Sequence, residues 1–222
     1  AYFERNNRRV GGGMVELDRL PRVLLVEGLG LVTVGSSVKA CDIAADIYEQ
    51  TVPVICAAAG IAEYRPVSEA DLFDCEYWEL EQRKLKLGKK SPGPLDGQVC
   101  YITGGASGMG LATARLFAKK GCNVFVVDVR QDRVDDVLSG SGGGGGGGPA
   151  GSTVLQRGVN ACGCVVDVTD PEAVRASFEQ VIDTFGGVDI LVSNAGVVVQ
   201  APSGMAALDV GALRKSMAVN FY

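Results

Sequence analysis

The spacing of hydrophobic and polar residues predicts a β-hairpin followed by helices in the first part of the chain. Residues 22–35 contain two apolar, β-rich runs that are broken by Gly28 and Gly30. Apolar residues at helical spacing follow, and Ser36 is placed to open that helix. No residues in this part of the chain have a catalytic spacing.

A second helical region begins near Ser68, which forms a variant of the helix-start motif with Asp71 three residues later. Residues 74–87 have the pattern of one amphipathic helix. Lys, Pro and Gly then become frequent, which marks a boundary, and we predict a linker at residues 91–98.

Apolar runs and helical patterns alternate after this boundary. The predicted strands span residues 99–103, 123–129, 161–168 and 188–193, and the predicted helices include residues 107–120 and 170–185. This alternation is typical of the α/β class, and we predict a doubly wound parallel sheet that is incomplete, with about four strands. Seven consecutive glycines lie within residues 139–152, where a loop is expected, and we interpret this segment as a flexible insertion.

The composition narrows the chemistry that the chain could carry. Its 222 residues include no histidine, 7 cysteines and 31 glycines. The absence of histidine excludes His-based zinc sites, Ser-His and Cys-His nucleophile pairs and a His general base. The cysteines are odd in number and never spaced C-x-x-C, so we expect small buried thiols rather than disulfides or a metal site.

Charge and hydropathy indicate an intracellular protein. The chain has 21 Lys and Arg residues against 26 Asp and Glu residues, so a nucleic-acid-binding surface is not indicated. The N-terminal residues lack the apolar core of a signal peptide, and no apolar run is long enough to span a bilayer. We therefore predict a cytoplasmic protein without a nucleic-acid or membrane partner.

A glycine motif for dinucleotide binding lies between the first strand and the first helix of the second part. Gly104 allows a tight turn, Gly108 lets a diphosphate approach the main chain, and Gly110 lets the helix pack close to the strand. The helix N-terminus offers free N–H groups to the phosphates. Asp128, 18 residues after Gly110, stands where an acid accepts hydrogen bonds from both ribose hydroxyls and repels a 2′-phosphate. This favours NAD over NADP, although Arg130 is close by.

The glycines also permit two other interpretations. They could form only a tight turn, with Asp128 as a solvated strand end, or they could belong to a methyltransferase of similar fold. A P-loop is excluded because no Lys-Ser or Lys-Thr pair follows them.

Four short motifs together resemble the short-chain dehydrogenase/reductase family. They are T-G-x-x-x-G-x-G at residues 103–110, D-V at 167–168, S-N-A-G at 193–196 and V-N at 219–220, and the resemblance covers residues 95–222. The resemblance implies a Rossmann sheet in which Asp167 contacts the adenine amino group of NAD. It also implies that Asn194, Ala195 and Gly196 steady the central strand beside the cofactor. Ser193 stands where Asn is commoner in the family.

The motif and the resemblance together define the candidate site residues. The candidates for cofactor binding are Gly104, Ser107, Gly108, Met109, Gly110, Asp128, Asp167, Val168, Asn194, Ala195 and Gly196. Asn220 matches the family's active-site Asn, which helps to hold a water in the proton relay, although an ordinary helix-end Asn is the alternative. No metal ligand is predicted.

No tyrosine of this sequence is followed four residues later by a lysine. In the family that pair, preceded by a Ser, transfers the proton: the Tyr is the acid/base and the Lys lowers its pKa. The chain starts at Ala1 in the middle of a pattern that is typical of a folded segment, and it stops at Tyr222 just after an apolar helix pattern. We therefore expect a piece of a longer protein. Alone, this piece is expected to bind NAD weakly and to be inactive.

Residues 1–90 are similar to the C-terminal part of a class II aldolase domain. The similarity runs through AYFERN, P-R-V-L-L-V-E-G-L-G-L from Pro21 and D-L-F-D-C-E-Y-W from Asp71. This region resembles the domain that precedes a short-chain dehydrogenase in bifunctional rhamnulose-1-phosphate aldolase/alcohol dehydrogenase proteins. Such aldolases hold zinc with histidines that lie upstream of the equivalent of Ala1, so zinc is expected only outside this chain.

The two resemblances imply an NAD-dependent oxidoreductase, at residues 99–222, that is fused to an aldolase domain. They imply an alcohol/aldehyde or ketone substrate, namely a small hydroxy-aldehyde or sugar in rhamnose metabolism. A non-catalytic nucleotide-binding Rossmann module stays open as the alternative, as does a homo-oligomer of the full-length protein.

Overall fold

A computed structural model of the chain describes residues 1–88, 93–139, 155, 160–198 and 209–221. The chain divides into two compact units: Ala1–Val34 with Ala40–Pro92, and Gly35–Lys39 with Gly93–Tyr222. Residues 93–98, the described part of the predicted linker, fold with the second unit, where Leu95 packs against the core. The predicted glycine-rich insertion lies outside the described residues except for Ser139.

The first unit contains the predicted β-hairpin together with helices. Its elements are α1 (Tyr2–Arg9), β1 (Val23–Val26), β2 (Gly30–Thr33), α2 (Val38–Ile61), α3 (Glu69–Glu76) and α4 (Glu79–Gly88). The strands are antiparallel, and Gly28 between them has φ +78°, a left-handed backbone that favours glycine. Ser68 caps α3 as predicted, since its Oγ accepts a hydrogen bond from the Asp71 N–H (3.2 Å).

An aromatic cluster and an ion pair fix α1 against α3. Phe73 is 1% exposed and stacks on Tyr77, with the ring centroids 4.3 Å apart, and Phe3 of α1 packs against both rings. Arg5 donates to both carboxylate oxygens of Glu69 (2.9 and 2.6 Å). We call Phe3, Phe73 and Tyr77 the aromatic cluster.

The helix predicted over residues 74–87 is interrupted at Tyr77, so this prediction is wrong. α3 ends before Tyr77, and α4 begins after Trp78. The Tyr77 side chain is buried in the aromatic cluster, and its hydroxyl accepts from the Leu17 N–H (3.1 Å), whereas Trp78 is 55% exposed. Burial of this ring against residues distant in sequence overrides the local helical pattern.

The described part of the second unit forms a four-stranded parallel sheet with helices, which confirms the predicted α/β class. Its elements are β3 (Val99–Thr103), α5 (Gly108–Lys119), β4 (Asn123–Asp128), α6 (Gln131–Ser139), β5 (Ala161–Val165), α7 (Pro171–Phe185), β6 (Ile190–Val192) and α8 (Val210–Asn220). The strand order is β5-β4-β3-β6. The chain therefore moves outward from β3 to β5 and returns to the other side of β3. In such sheets ligands bind at the carboxyl ends of the strands, beside the point where this direction reverses.

The central strands β3 and β4 are buried on both faces of the sheet, to which the successive side chains of a strand point in turn. On one face, Ile102 and Val126 pack with residues of α5 and α6. On the other face, Tyr101 and Phe125 pack with residues of α7. This two-sided burial explains why the strands are continuous apolar runs in the sequence.

β5 and β6 are shorter than predicted, and side-chain hydrogen bonds follow the end of each strand. β5 ends at Val165; the Val166 N–H still donates to the Asp128 carbonyl (3.0 Å), and Asp167 Oδ1 then accepts from the Thr169 N–H (2.9 Å). β6 has three residues, and beyond it Thr103 Oγ1 accepts from the Asn194 N–H (2.9 Å) where a longer ladder would use a backbone carbonyl.

The expectation of buried thiols is only partly met. All seven cysteines are free, and Cys100 and Cys122 are buried. Burial raises the pKa of Cys100 to about 12 and that of Cys122 to about 11, so both thiols are protonated at neutral pH. The expectation is wrong for Cys56 and Cys75, which are exposed on α2 and α3.

Candidate cofactor-binding site

Two of the three motif glycines bring chain segments together, and the third leaves open space. Gly104 has φ +60°, and a Cβ on it would lie 3.0 Å from the Cα of Ala195. A Cβ on Gly110 would lie 2.3 Å from the Gly104 carbonyl oxygen, so only glycine lets α5 approach the turn this closely. Gly108 has φ +51°, and a Cβ there would meet nothing within 4 Å. The open space beside Gly108 fits the approach of a diphosphate to the main chain.

A set of hydrogen bonds between the ends of β3 and β6 holds the glycine turn. The Asn194 side-chain amide donates to the carbonyls of Thr103 (3.0 Å) and Gly104 (3.1 Å). Thr103 Oγ1 accepts from the backbone N–H groups of Asn194 (2.9 Å) and Ala195 (3.0 Å). We call these four residues the Thr103–Asn194 clamp. Thr103 is the first residue of the sequence pattern, but its spacing alone does not indicate this bonding role.

The N-terminus of α5 is open to a ligand. Ser107 is its N-cap residue, but the side chain makes no capping bond and instead accepts from Arg133 Nη1 (3.2 Å). The first N–H groups of a helix have no acceptor within the helix, and they lie at the positive end of its dipole. Met109, in the first turn, is 81% exposed. These features suit an anionic group such as a diphosphate.

Asp128 lies at the end of β4, the strand that pairs with β3. It is 7% exposed, and its Oδ1 accepts from the Arg130 N–H (3.2 Å). The Arg130 guanidinium turns toward Asp132 instead: its Nε donates to the Asp132 carboxylate (3.1 Å), and the two side chains form an ion pair. In the sequence, Arg130 is the residue that would favour NADP. In the structure its charge is balanced by the Asp132 carboxylate.

Asp167 and Val168 follow β5 at the same end of the sheet. Asp167 Oδ1 accepts from both the N–H and the hydroxyl of Thr169 (2.9 and 2.7 Å). These bonds lower the pKa of the Asp167 carboxyl below its ordinary value, so it is ionised at neutral pH. The side chain is exposed and is placed to accept from a ligand.

A cavity of about 320 Å³ lies between β3, β6, α7 and α8, within the range of small-molecule pockets. Its lining includes Thr103, Val168, Ala195 and Asn220. The structure thus brings three of the predicted site residues to one cavity. The glycine turn and Asp128 are not part of this lining.

Asn220, the predicted catalytic residue, is the last residue of α8, and its side chain bonds the segment after β6. Its Oδ1 accepts from the Val197 N–H (3.0 Å), and its Nδ2 donates to the Val197 carbonyl (2.9 Å). Ser216, one turn earlier, donates to the same carbonyl (3.2 Å). A Cβ on Gly196 would lie 3.4 Å from Asn220 Oδ1. The side chain therefore anchors this segment to α8, and its part in proton transfer stays a prediction.

The described ranges hold neither a metal-binding group of three or more side chains nor a membrane-spanning helix. No group of three or more His, Cys, Asp or Glu side chains there is arranged to hold a metal ion. Within the same part of the chain, no helix combines the length and the apolar character needed to cross a membrane.

The sheet order, the glycine turn and the Thr103–Asn194 clamp define an α/β unit of the Rossmann type. The family model described as short chain dehydrogenase matches residues 98–222, and the model of the second domain of class II aldolases matches residues 1–85. The chain belongs to the short-chain dehydrogenase family, and a class II aldolase region precedes the dehydrogenase region. Both resemblances found in the sequence are confirmed.

Several known proteins resemble the chain over part of their length. The uncharacterized oxidoreductase YuxG of Bacillus subtilis is 31% identical over 202 residues, which are 91% of this chain and 27% of that protein. The (+)-borneol dehydrogenase 1 of Salvia officinalis is 36% identical over 57% of this chain and 42% of its own length. The chain therefore spans less than half the length of these relatives.

Two solved structures also resemble the chain over part of their length. A short-chain dehydrogenase/reductase of Serratia marcescens has 29% identity and a TM-score of 0.47, over 58% of this chain and 46% of that chain. A 3-ketoacyl-(acyl-carrier-protein) reductase of Brucella melitensis, solved in complex with NADH, has 29% identity and a TM-score of 0.47, over 57% and 46% of the two chains.

Proposed function

We propose that the second unit binds NAD and is the coenzyme-binding part of an oxidoreductase that acts on an alcohol, aldehyde or ketone. The observation that carries this proposal is the glycine turn. The open space beside Gly108 and the free N–H groups of α5 both follow β3, the strand at which the strand order of the parallel sheet reverses. The Thr103–Asn194 clamp holds this turn in place.

The diphosphate and the two parts of the adenosine half of the dinucleotide each have a candidate partner. The diphosphate would lie at Gly108 and the first turn of α5, the adenosine ribose at Asp128, and the adenine amino group at Asp167. The carboxylate of Asp128 favours NAD, because it accepts from ribose hydroxyls and repels a 2′-phosphate. NAD, when bound, supplies the hydride chemistry, and the protein supplies binding and orientation.

We further propose that the 222-residue chain binds NAD without turning over a substrate. None of its tyrosines has a lysine four residues later, which is the pair that the family uses for proton transfer. The same observation supports the second candidate, a nucleotide-binding module without catalysis. NADH formation by this chain with any alcohol would refute both statements.

The class II aldolase region supports a place in sugar or hydroxy-aldehyde metabolism. Residues 1–85 match the second domain of that family, and a dehydrogenase region follows directly. We place the substrate of the parent protein among small hydroxy-aldehydes or sugars, such as those of rhamnose metabolism. The chain has no histidine, so it does not supply the histidine ligands that hold zinc in aldolases of this class.

Calorimetric titration of this chain with NAD, NADP and S-adenosylmethionine tests the proposal. We expect binding of NAD, weaker binding of NADP and no binding of S-adenosylmethionine, which would indicate a methyltransferase. Asp128→Ala should narrow the difference between NAD and NADP, because it removes the carboxylate that repels the 2′-phosphate. Failure to bind either dinucleotide overturns the proposed function.

A further inference from the structure

Two cysteine side chains point to the same face of β5. Cys162 and Cys164 are two positions apart in this strand, and successive side chains of a strand alternate between the faces of a sheet. Both pack against the core face that contains Tyr101 and residues of α7. Gly163 between them has no side chain, and a Cβ there would lie 2.2 Å from the Val126 carbonyl oxygen of the neighbouring strand. The two thiols are therefore neighbours between β5 and α7.

This pair of thiols is open to a small ion and does not fit a disulfide within the strand. Both side chains are half-buried, and β5 is the edge strand of the described four-stranded sheet. Two residues of a strand rise about 6.6 Å, so Cβ atoms on the same face are about that far apart. A disulfide requires Cβ atoms that are about 3.5–4.5 Å apart. The thiols therefore stay separate while the strand keeps its shape, and they leave room for an atom between them.

The number of ligands restricts which metal ion suits this pair. In the described part of the chain, no third His, Cys, Asp or Glu joins the two thiols in a metal-binding arrangement. Zinc and iron–sulfur clusters take four ligands, so two thiolates leave such a site half empty. Cu(I) is a soft ion that prefers thiolates, and two of them in a linear arrangement complete its coordination.

The spacing of the pair also suits this geometry. Two metal–sulfur bonds of about 2.3 Å, the length of a zinc–thiolate bond, span about 4.6 Å between the sulfur atoms. Side chains whose Cβ atoms are about 6.6 Å apart reach this separation by rotation about χ1.

We propose that Cys162 and Cys164 form a binding site for Cu(I). On binding, two S–H bonds break and two Cu–S bonds form, the two protons pass to the solvent, and the copper stays Cu(I), so no electron is transferred. The site is independent of the proposed function, because neither cysteine belongs to the glycine turn, to the Thr103–Asn194 clamp or to the lining of the cavity.

The release of protons makes the binding depend on pH. Burial, and to a smaller extent the neighbouring Cys162, raises the pKa of the Cys164 thiol to about 11, so this thiol is protonated at neutral pH. The ion must displace that proton, and its affinity therefore rises with pH. Near neutrality the affinity should rise by about tenfold or more for each unit of pH, since at least the Cys164 proton is released.

Anaerobic competition between this chain and bicinchoninate, a chromophoric chelator of Cu(I), measures the affinity. One ion per chain should be held more tightly than any other. The double variant Cys162→Ser/Cys164→Ser should lose at least about a hundredfold in this affinity, because both ligands are removed. The matched control is Cys56→Ser/Cys75→Ser, which removes two exposed thiols on different helices and should change the affinity by less than about threefold.

Two further measurements locate the ion in the unaltered chain. One equivalent of Cu(I) should protect Cys162 and Cys164 from iodoacetamide while Cys56 and Cys75 still react, as read by mass spectrometry of the peptides. X-ray absorption at the copper edge should show two sulfur ligands.

The proposal is overturned if the Cys162→Ser/Cys164→Ser variant, folded by circular dichroism, keeps the tight ion, or if the control variant loses it. It is also overturned if Cu(I) protects all accessible cysteines equally or protects Cys56 and Cys75 instead. Should the double variant not fold, the protection pattern of the unaltered chain decides the matter. A failed titration with NAD leaves this site standing, and a failed titration with Cu(I) leaves the proposed function standing.

Discussion

The Thr103–Asn194 clamp makes a sharp prediction about Thr103→Val. Valine keeps the branched shape of threonine and leaves no cavity, but it removes the hydroxyl oxygen. That oxygen accepts from the backbone N–H groups of Asn194 (2.9 Å) and Ala195 (3.0 Å). The substitution therefore leaves two part-buried donors without their acceptor.

The expected loss of stability follows from these two donors. A buried N–H without an acceptor costs about 1–3 kcal/mol. Because the clamp is only part-buried, we use the lower half of this range, about 1–2 kcal/mol, for each of the two donors and expect a fall of about 2–4 kcal/mol in the free energy of unfolding. Affinity for NAD should fall as well, because the same clamp holds the glycine turn.

Urea unfolding followed by circular dichroism measures the loss, and hydrogen exchange of the Asn194 and Ala195 amides locates it. Thr113→Val is the matched control, because the Thr113 hydroxyl donates to the Met109 carbonyl of its own helix at an exposed position. The control should change the unfolding free energy by less than about 0.5 kcal/mol. If Thr103→Val behaves like the control and the two amides stay protected from exchange, the reasoning about the clamp is refuted.

Three further predictions concern other positions. Gly110→Ala should lower both stability and NAD affinity in calorimetric titration, because its Cβ would lie 2.3 Å from the Gly104 carbonyl oxygen, whereas an unchanged affinity would contradict this packing argument. Phe73→Ala should lower the unfolding free energy of the first unit by about 3–5 kcal/mol in urea titration, since the ring is 1% exposed, and a change below about 1 kcal/mol would show that the aromatic cluster is not its core. Exposed Cys75 should react with a disulfide reagent in the native protein at mildly alkaline pH. Cys100, whose pKa burial raises to about 12, should stay unreactive until the pH approaches that value or the protein unfolds, and equal rates would refute this.

Local signals account for the parts of the fold that the sequence predicts best. β3 has the predicted bounds, because a two-sided buried strand is a plain apolar run. α7 begins after Asp170, which accepts from the Glu172 N–H (3.0 Å), and it ends at Gly186 in a left-handed conformation. Both ends follow from the residue types alone.

The parts that sequence reasoning missed depend on contacts between distant residues. Tyr77 breaks a helix because its ring packs on Phe3, more than seventy positions away. Arg133 meets Ser107 only after α5 and α6 have docked on the sheet, 26 positions apart in sequence. The glycines of the turn were assigned from the motif, whereas the bonds that hold the turn involve Thr103 and Asn194, which no local pattern connects.

The pairing of β3 with β6 has a consequence for the order of folding. Thr103 and Asn194 are 91 positions apart in the sequence, whereas the paired residues of β3 and β4 are 24 positions apart. The clamp therefore closes a much longer loop than the pairing of β3 with β4 does. Loop closure over such a length costs entropy before any contact repays it, and we expect β3, β4 and β5 to associate first. If these three strands associate first, they would present the helix end that attracts phosphate without the bonds that shape the turn. We therefore expect the nucleotide site to be completed late in folding and a dinucleotide to bind only molecules that have folded completely.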